Sequence, residues 1–331
     1  MIYIIGGSGF IGTRLVKRLQ LLDAYSFKII DKVISKEFPS LTTLADIRFI
    51  DDLRNVIDKN SILINLAAEH KDNVTPSYLY EQVNVGGAIN ICNIAREKNI
   101  KTIIFTSSVA VYGFAKPGTA ESGEINPFNE YGRTKYEAER IYKDWQKESA
   151  EDRRLIIIRP TVVFGEQNRG NVYNLFHKIY SGFFIMIGSG KNSKSIAYVE
   201  NLAAFIEYSV INFNAGVHLY NFVDKPDLTM NELVECVKNI LGLNLKKYSF
   251  RVPYFFGILV GKIFDFISLF SDFDSGISSI RIKKFCTNSV YESAIESTGF
   301  VSPISLKNAL RSTLTYEFLE KHEKDPLYFS E

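Results

Sequence analysis

The sequence predicts an α/β fold, in which a doubly wound parallel sheet is joined by a smaller C-terminal α/β lobe. Three observations carry this prediction. Short apolar runs alternate with segments of helical spacing over the first 165 residues, a glycine-rich turn separates the first run from the first such segment, and the alternation loosens after Gly165. Strands that alternate with helices form right-handed β-α-β units, whose parallel sheets are covered on both faces.

The apolar runs and the helical segments give the elements in order. The predicted strands are Tyr3–Ile5, Phe27–Ile30, Ile62–Leu66, Thr102–Thr106, Leu155–Ile158 and Val217–Val223. The predicted helices are Thr13–Leu22, Val85–Lys98, Tyr131–Ser149, Asn171–Gly182, Asn201–Ile211 and Asp227–Leu241. In the last of these, Thr229 precedes Glu232 by three residues, as in a capping box. We therefore expect a sheet domain of residues 1–165, to which residues 195–225 return, and a smaller lobe of residues 166–194 and 226–331.

Composition excludes several classes of protein. The 331 residues are 46% hydrophobic and 23% charged, which predicts a chain folded throughout. Lysine plus arginine (39) exceed aspartate plus glutamate (37) by only two, too few for a dedicated nucleic-acid binder. The three cysteines and four histidines lack the spacing of disulfide or metal sites, and the N-terminus lacks the basic region of a signal peptide. We expect no metal and a cytoplasmic location.

One apolar segment, residues 252–270, invites a membrane interpretation. Lys262 and Asp265 lie inside it, and charges of that kind cost several kcal/mol in hydrocarbon, so a transmembrane span is not expected. Two interpretations stay open. The segment is either an amphipathic helix packed on the smaller lobe or a helix that contacts a membrane surface or a partner.

The glycine-rich turn has features of a dinucleotide site. Gly6, Gly9 and Gly12 follow the first strand and open the first helix, where glycine lets the backbone approach a pyrophosphate and the helix offers free N–H groups. Asp31 ends the second strand 19 residues beyond Gly12, close to the spacing of a carboxylate that accepts hydrogen bonds from the ribose. An acid there repels a 2′-phosphate, so we expect NAD rather than NADP, although Lys32 is adjacent.

A tyrosine and a lysine four residues apart form the candidate catalytic pair. Tyr131 and Lys135 share one face of a predicted helix, where a nearby ammonium stabilises a phenolate and makes the tyrosine a usable general acid or base. Tyr112 and Lys116 have the same spacing, but Gly113 and the following Pro117 predict a loop there.

Several short motifs occur together in one order along the chain. They are Gly6–Gly12, Asp46-Ile47, Asn65-Leu-Ala-Ala68, Asn84-Val-Gly-Gly87, Ser107-Ser-Val-Ala-Val-Tyr-Gly113, Tyr131-Gly-Arg-Thr-Lys135 and Arg159-Pro160. This ordered set resembles the extended short-chain dehydrogenases/reductases, and within them the nucleotide-sugar epimerase/dehydratase branch. The resemblance covers most of the chain and implies a Rossmann-type NAD-binding domain followed by a substrate-binding lobe.

The resemblance also implies site residues. Ser108, Tyr131 and Lys135 correspond to the catalytic Ser/Thr, the general base and the lysine that also holds the nicotinamide ribose. The implied cofactor-binding residues are Gly6, Gly9, Phe10, Ile11, Gly12, Asp31, Asp46, Ile47, Leu66, Ala67, Ala68, Asn84, Lys135 and Pro160. The implied substrate-binding residues are Ser108, Val109, Tyr131, Asn171, Val172 and Lys194, the last where many relatives carry a diphosphate-binding arginine. The resemblance further implies a homodimer formed through the helix of Tyr131 and the helix of residues 83–98.

The residues directly after Ser108 narrow the reaction. The 4,6-dehydratases of the family have an acidic pair there, whereas this chain has Val109 and Ala110. Elimination of water would lack its acid and base, so epimerase or ketoreductase chemistry remains. Because Asp31 favours NAD, we expect a nucleotide-sugar 4-epimerase acting on a UDP-hexose or UDP-N-acetylhexosamine through a 4-keto intermediate. The alternatives are an NAD(P)H-dependent UDP-4-keto-sugar reductase, a 3β-hydroxysteroid-type dehydrogenase and a non-catalytic dinucleotide sensor.

Overall fold

The structure, a computed structural model, describes residues 1–21, 25–71, 74–243, 250–268, 278–322 and 325–329. Its strands are β1 (Ile2–Ile5), β2 (Phe27–Asp31), β3 (Thr42–Leu44), β4 (Ile62–Asn65), β5 (Thr102–Thr106), β6 (Arg154–Pro160), β7 (Val162–Phe164), β8 (Met186–Ile187), β9 (Ser193–Tyr198), β10 (Gly216–Phe222), β11 (Asp224–Thr229) and β12 (Arg251–Val252). Its α-helices are α1 (Phe10–Gln20), α2 (Ile50–Val56), α3 (Tyr78–Tyr80), α4 (Gly87–Glu97), α5 (Glu130–Lys147), α6 (Asn171–Tyr180), α7 (Val199–Ile211), α8 (Met230–Ile240), α9 (Tyr254–Ser268), α10 (Ser279–Cys286) and α11 (Leu306–Phe318).

A seven-stranded parallel sheet forms the larger part, in the order β10-β6-β5-β4-β1-β2-β3. Successive side chains of a strand point to opposite faces, and β1 shows why both faces must be covered. Ile2 and Ile4 pack in a core with α1 and α7, whereas Tyr3 and Ile5 pack in a second core with α2, α4 and α5. The predicted doubly wound parallel sheet is confirmed.

Element positions agree with the sequence predictions except at particular boundaries. The helix predicted from Asp227 begins at Met230, because residues up to Thr229 belong to β11, and the capping box of Thr229 and Glu232 is confirmed. The helix predicted from Val85 begins in α form at Gly87, after a π-helical stretch, Glu81–Gly86. Of the predicted helix Thr13–Leu22, the last residue lies outside the described part of the chain.

The second part of the molecule is built on two small sheets. Strands β11, β9 and β7 form one of them, and β12 and β8 form the other. A third core, which includes Phe176 of α6, Leu233 of α8 and Leu310 of α11, lies between these sheets and their helices. Because β7 follows β6 after a single residue, this part begins directly at the carboxyl end of the large sheet.

The apolar segment predicted as residues 252–270 forms the end of β12 and the helix α9; residues 269 and 270 lie outside the described residues. The helix packs on β8 and α10, and many of its apolar side chains face solvent. Among the residues described, no helix combines the length and the apolar character needed to cross a membrane.

Candidate active site

The candidate site residues lie where the parallel strands end. The final residues of β6, β5, β4, β1 and β2 are Pro160, Thr106, Asn65, Ile5 and Asp31, and these strands are neighbours in this order. Carboxyl ends of parallel strands meet at one edge, and ligands bind there at the point where the strand order reverses. In this sheet the chain leaves β1 for β2 on one side and later returns to β4 on the other, so the reversal lies beside β1.

The glycine-rich turn leaves room for a pyrophosphate between β1 and α1. Gly6 has a φ of +78°, and a Cβ atom there would lie 2.5 Å from the backbone nitrogen of Ala67, so glycine is required. Gly9 is the N-cap of α1, and the first turn of this helix carries no acidic residue. The free N–H groups and the positive end of the helix dipole therefore suit an anionic diphosphate.

Asp31 lies beside this turn. Its carboxylate accepts hydrogen bonds from the backbone N–H of Ser8 (3.0 Å) and from that of Val33 (3.2 Å). Burial raises the pKa of Asp31, although these hydrogen bonds act in the opposite direction. Two carboxylate oxygens have about four acceptor positions, so acceptor capacity remains for the hydroxyls of a ribose.

Asp46 and Ile47 follow β3 at the same edge. The guanidinium of Arg48 donates hydrogen bonds to both oxygens of Asp46, at 2.6 to 3.0 Å. Burial alone would raise the pKa of Asp46, but these hydrogen bonds lower it overall. The Ile47 side chain is buried close to Gly87. Both residues thus lie at the sheet edge where the cofactor is expected, with the Asp46 carboxylate already paired with Arg48.

Asn84 connects the loop after β4 to α5. Its Nδ2 donates to the backbone oxygen of Glu69 and to Oγ1 of Thr134, each at 3.0 Å, and its Oδ1 accepts from the N–H of Glu69 at 2.9 Å. The residues Leu66–Ala68 lie at the start of this loop, and Ala67 touches the glycine turn. Through these contacts the Asn84 side chain holds the loop after β4 against α5, at the sheet edge where the cofactor is expected.

Lys135 is held at the carboxyl end of β5. Its buried Nζ donates to the backbone oxygen of Thr106 at 2.7 Å and lies 4.7 Å from the ring centroid of Phe105. Burial lowers the pKa of Lys135 to about 7, although the negative charge of Glu139 acts in the opposite direction. The ammonium can therefore exchange its proton near neutral pH.

The first turn of α5 packs directly on the turn that follows β5. Ser108 caps this turn, and its Oγ accepts from the N–H of Ala110 at 3.1 Å. A Cβ atom on Gly132 would lie 2.5 Å from the backbone oxygen of Ala110, so only glycine allows this approach. Tyr131 precedes Gly132, and Lys135 lies one helical turn further on. The backbone segments that carry Ser108 and Tyr131 are therefore neighbours, with Lys135 on the next turn of α5.

Tyr112 has a different environment from Tyr131. It ends the turn after β5, and Gly113 follows with a φ of +63°, so it shares no helix with Lys116. Its buried hydroxyl donates to Oδ1 of Asn221 (2.8 Å) and accepts from Nη1 of Arg159 (2.6 Å). These contacts commit the Tyr112 hydroxyl to the interior of the protein.

A buried polar network behind the candidate catalytic residues was not predicted from the sequence. The carboxylate of Glu139 accepts from Oγ of Ser107 at 2.5 Å and from Nη2 of Arg159 at 2.6 Å, and the two charged side chains are 0% and 2% exposed. Glu139 lies four residues after Lys135, on the same face of α5. That spacing is the one signal in the sequence that points to this network.

The residues expected to contact substrate lie beyond the sheet edge. Val109, 9% exposed, begins the turn after Ser108, while Asn171 and Val172 begin α6.

The Nζ of Lys194 donates to the backbone oxygens of Lys284 and Thr287, both at 2.7 Å, and lies 3.3 Å from Oγ of Ser289. These contacts use all three N–H groups of an ammonium. Lys194 would therefore have to exchange one contact to bind a diphosphate.

The acidic side chain that follows Ser108 most closely in the sequence is already hydrogen-bonded to other parts of the protein. The first carboxylate after it in the sequence is Glu121. Its Oε1 accepts from the N–H of Asn221 (2.8 Å) and from that of Ala294 (2.9 Å). The acid–base pair of a dehydratase is thus missing from the segment that directly follows Ser108.

Comparison with known proteins finds a family and named relatives to which the chain is similar. The sequence model of the NAD dependent epimerase/dehydratase family matches residues 2–222. An N-acetyl-alpha-D-glucosaminyl-diphospho-ditrans,octacis-undecaprenol 4-epimerase of Escherichia coli O157:H7 is 43% identical over 331 residues, covering 100% of this chain and 99% of that protein. A UDP-glucose 4-epimerase of Vibrio cholerae is 28% identical over 273 residues, covering 80% of this chain and 82% of that protein.

The fold is also shared with solved structures. A UDP-glucose 4-epimerase from Thermotoga maritima, crystallised with UDP-glucose, superposes with a TM-score of 0.74 at 18% identity, covering 96% of this chain and 99% of that chain. At that identity the match shows the fold alone.

Proposed function

The chain belongs to the NAD-dependent epimerase/dehydratase family and is an NAD-dependent enzyme of the extended short-chain dehydrogenase/reductase type, and from that membership we propose that it inverts C4 of a hexose or N-acetylhexosamine carried on a diphosphate. The same membership makes NAD its cofactor. The glycine turn with the N-terminus of α1, and Asp31 beside it, fit the diphosphate and ribose of such a cofactor.

The proposal for the reaction is supported by the surroundings of the turn after β5. Ser108 caps this turn, Gly132 beside Tyr131 packs against it, and Lys135 donates to the last residue of β5, whereas the segment after Ser108 begins with the apolar Val109 and Ala110. This set suits proton transfer at a hydroxyl that becomes a carbonyl and then a hydroxyl again. It does not supply the acid and base that elimination of water requires.

In the proposed mechanism, the Tyr131 phenolate accepts the proton of the C4 hydroxyl and later returns a proton to the same oxygen. The Ser108 hydroxyl donates a hydrogen bond to that oxygen, and the Lys135 ammonium stabilises the phenolate. NAD, when bound, supplies the oxidation and the re-reduction of C4. The sugar ring has to turn its opposite face toward the cofactor before the second step. The protein must therefore hold the sugar ring less tightly than the diphosphate.

The carrier of the sugar is the finer part of the proposal. The relative that is 43% identical over the whole chain is named for a substrate on undecaprenyl diphosphate, and this favours a polyprenyl diphosphate carrier. The relative at 28% identity is named for UDP-glucose, and it keeps the UDP carrier predicted from the sequence as the second candidate. Both carriers share the sugar diphosphate that the site must hold.

The assembly and location also belong to the proposal. A homodimer through α4, α5 and the π-helical stretch before α4 follows from the family resemblance, and the cytoplasmic location expected from the sequence is kept as a proposal. In the single chain these helices already contact one another, and Arg133 of α5 pairs with Glu81 of the π-helical stretch (2.8 Å). A dimer would extend this helical layer across a two-fold axis.

The test is an epimerisation assay with both carriers. Purified protein is incubated with catalytic NAD and either N-acetylglucosaminyl diphosphoundecaprenol or UDP-N-acetylglucosamine, and the products are separated by C4 configuration while NADH absorbance is followed. We expect the C4 epimer of at least one substrate to form with no net change in NADH.

A ketoreductase gives a different result in the same experiment. It would leave both substrates unchanged and would convert only 4-keto sugars, with one reduced cofactor consumed per product. That outcome would replace the epimerase by the reductase. Oxidation of a 3β-hydroxysteroid in a parallel assay would replace it by a steroid dehydrogenase.

A further inference from the structure

Helix α9 packs on the rest of the protein through its smallest side chains. A Cβ atom on Gly257 would lie 2.6 Å from Cγ2 of Ile187 in β8, and one on Gly261 would lie 2.8 Å from Cα of Ser279 in α10. The carboxylate of Asp265 on the same side accepts from the N–H of Ser279 at 3.2 Å. These close contacts fix which face of α9 is turned inward.

The opposite face of α9 is apolar and exposed. Seven side chains on it have exposed fractions from 43% to 72%: Phe255, Phe256, Leu259, Val260, Ile263, Phe266 and Ile267. At about 100° per residue they cover an arc of about 140°, and Lys262 lies at the edge of this arc. The usual arrangement of a surface helix is thus reversed, with apolar groups toward solvent.

The exposed surface continues on residues that precede β8 and β12, the two short strands beside α9. Phe250, 67% exposed, lies next to β12 and its backbone oxygen accepts from the N–H of Met186 in β8. Phe183 and Ile185, just before β8, are 80% and 48% exposed. We call these three residues and the seven of α9 the apolar face. Contiguous exposed apolar surface of this kind marks interaction sites on soluble proteins.

The surroundings of the apolar face are basic. Residues 171–199 and 250–286 contain eight lysines and arginines and three acids, Asp265, Asp272 and Asp274; 8 − 3 gives a net charge of +5. Lys178, Lys191, Arg251 and Lys262 among them are exposed. The whole chain has a net charge of only +2, so the positive charge is concentrated here. Apolar groups bordered by lysine and arginine match an anionic lipid surface.

Helix α10 connects this region to the catalytic side of the molecule. The Nζ of Lys283 lies 4.6 Å from the ring centroid of Phe114, and the Nζ of Lys284 lies 4.6 Å from that of Phe128. The two rings pack on each other with centroids 4.9 Å apart. Phe128 is three residues before Tyr131, so the apolar face and the catalytic tyrosine are separated by one helix and one pair of rings.

We propose that the apolar face inserts into the headgroup layer of a bilayer containing anionic lipid, with α9 lying in the plane of the membrane. At 15 residues the helix is about 22 Å long, shorter than the roughly 30 Å of a hydrocarbon core, so it suits the surface and not a span. The purpose of this contact rests on the proposed function: a sugar diphosphate on a polyprenol stays anchored in the bilayer, and docking brings the site to it.

Vesicle flotation of the full-length protein tests the proposal. The wild type is compared with the triple variant Phe255→Ser, Leu259→Ser, Ile263→Ser, whose side chains are 72%, 47% and 52% exposed. The matched control is Leu21→Ser, Val301→Ser, Leu319→Ser, at positions 85%, 82% and 55% exposed elsewhere on the surface. The vesicles contain phosphatidylethanolamine with phosphatidylglycerol in one series and phosphatidylcholine alone in the other.

We expect the wild type and the control to float with the phosphatidylglycerol vesicles, and the α9 variant to lose roughly tenfold or more of its bound fraction, since the buried apolar area drives insertion. Circular dichroism checks that all three are folded. Equal flotation of the three proteins, or no flotation of the wild type, would overturn the proposal. So would a change of the α9 variant from dimer to monomer in sedimentation, which would make the apolar face an interface between copies.

The epimerisation assay keeps the two proposals separate. With N-acetylglucosaminyl diphosphoundecaprenol in vesicles, the α9 variant should lose activity that detergent micelles restore, whereas its turnover of a UDP-sugar in solution should equal that of the wild type. Flotation without epimerisation of any sugar diphosphate would refute the proposed function and support the membrane contact. Epimerisation in vesicles that is equal for the α9 variant and the control would overturn the membrane contact.

Discussion

The sheet edge that carries Lys135 and the apolar face of α9 depart in opposite directions from the usual distribution of charged and apolar residues between interior and surface. At the edge, Lys135, Glu139 and Arg159 are charged residues with almost no exposed surface. On α9, Phe255 and Phe266 are large apolar residues that are 72% and 62% exposed. Charged groups are normally outside and a contiguous apolar surface is normally covered, so both regions depart from what stability alone favours.

The two regions differ in whether contacts within the protein offset the energetic cost of the departure. Buried charges persist only when they are paired, and here one carboxylate links Ser107 and Arg159 while a carbonyl holds Lys135. The ten side chains of the apolar face are 43% to 80% exposed, and they would gain free energy by leaving water. The buried charges at the sheet edge are therefore hydrogen-bonded within the chain, whereas the apolar face suits a partner surface.

The largest expected effect in this comparison comes from Tyr131→Phe. Loss of the phenolic oxygen removes the proton acceptor, so turnover should fall by roughly 10²-fold or more while NAD affinity stays within about twofold. Steady-state kinetics and NAD titration measure the two quantities. Tyr136→Phe, five residues further along α5, is the control and should keep its turnover. Retained activity in the Tyr131 variant would point to another base.

Lys135→Met should affect two properties together. The variant loses the ammonium that stabilises the phenolate and the donor expected to hold the nicotinamide ribose, so turnover and NAD affinity should each fall by about tenfold or more. Kinetics and calorimetric NAD binding report them separately. Lys147→Met, at the exposed end of the same helix, should change neither. An unchanged NAD affinity in the Lys135 variant would remove its role at the ribose.

Asp31→Ala should narrow the preference for NAD over NADP by about tenfold, because the variant no longer repels a 2′-phosphate. Binding of both dinucleotides to the wild type and the variant gives the ratio. Asp51→Ala, whose side chain is 80% exposed on α2, serves as the control and should leave the ratio unchanged. Equal binding of the two dinucleotides by the wild type would mean that Lys32 offsets the acid.

Glu139→Gln tests whether the buried network acts through Lys135. With a pKa of about 7, the Lys135 ammonium is present below that pH and is lost above it, so activity that depends on it falls as pH rises. The negative charge of Glu139 raises the pKa of Lys135, and its removal should move this fall to lower pH, with a roughly threefold loss of turnover at neutral pH.

The pH profile of turnover distinguishes this positioning role from a merely structural one. Glu137→Gln, a half-buried residue of the same helix that pairs with Arg133, should keep the wild-type profile. A profile of the Glu139→Gln variant that is lower at every pH but unshifted would show that the carboxylate only supports the fold.

The smallest expected effect is on the apolar face itself. Ile263→Ala on α9 should change the free energy of unfolding by no more than about 0.5 kcal/mol, because its side chain is already half exposed. Ile104→Ala in the middle of β5, a fully buried position, should cost about 2 to 5 kcal/mol. Denaturant titration measures both. A large loss for Ile263→Ala would mean that the apolar face is covered within the protein.

Much of the fold and part of the site were predictable because their signals are local. Alternation of apolar runs and helical spacing reports the strands and helices, and the sheet they form is the one predicted. Tyr131 and Lys135 are four residues apart on one helix, so their shared face follows from helix geometry alone. The glycine turn is a local signal too, because the positive φ at residue 6 is a backbone conformation that glycine adopts readily.

Only the tertiary structure decided the contacts between residues distant in the sequence. The pairing of Glu139 with Arg159, the enclosure of the Lys194 ammonium by carbonyls from residues 284 and 287, and the commitment of Glu121 to Asn221 all depend on which strands and loops become neighbours. Sequence periodicity also left the orientation of α9 open. An apolar helix can turn any face inward, and the close approach at Gly257 and Gly261 is what leaves its largest side chains toward solvent.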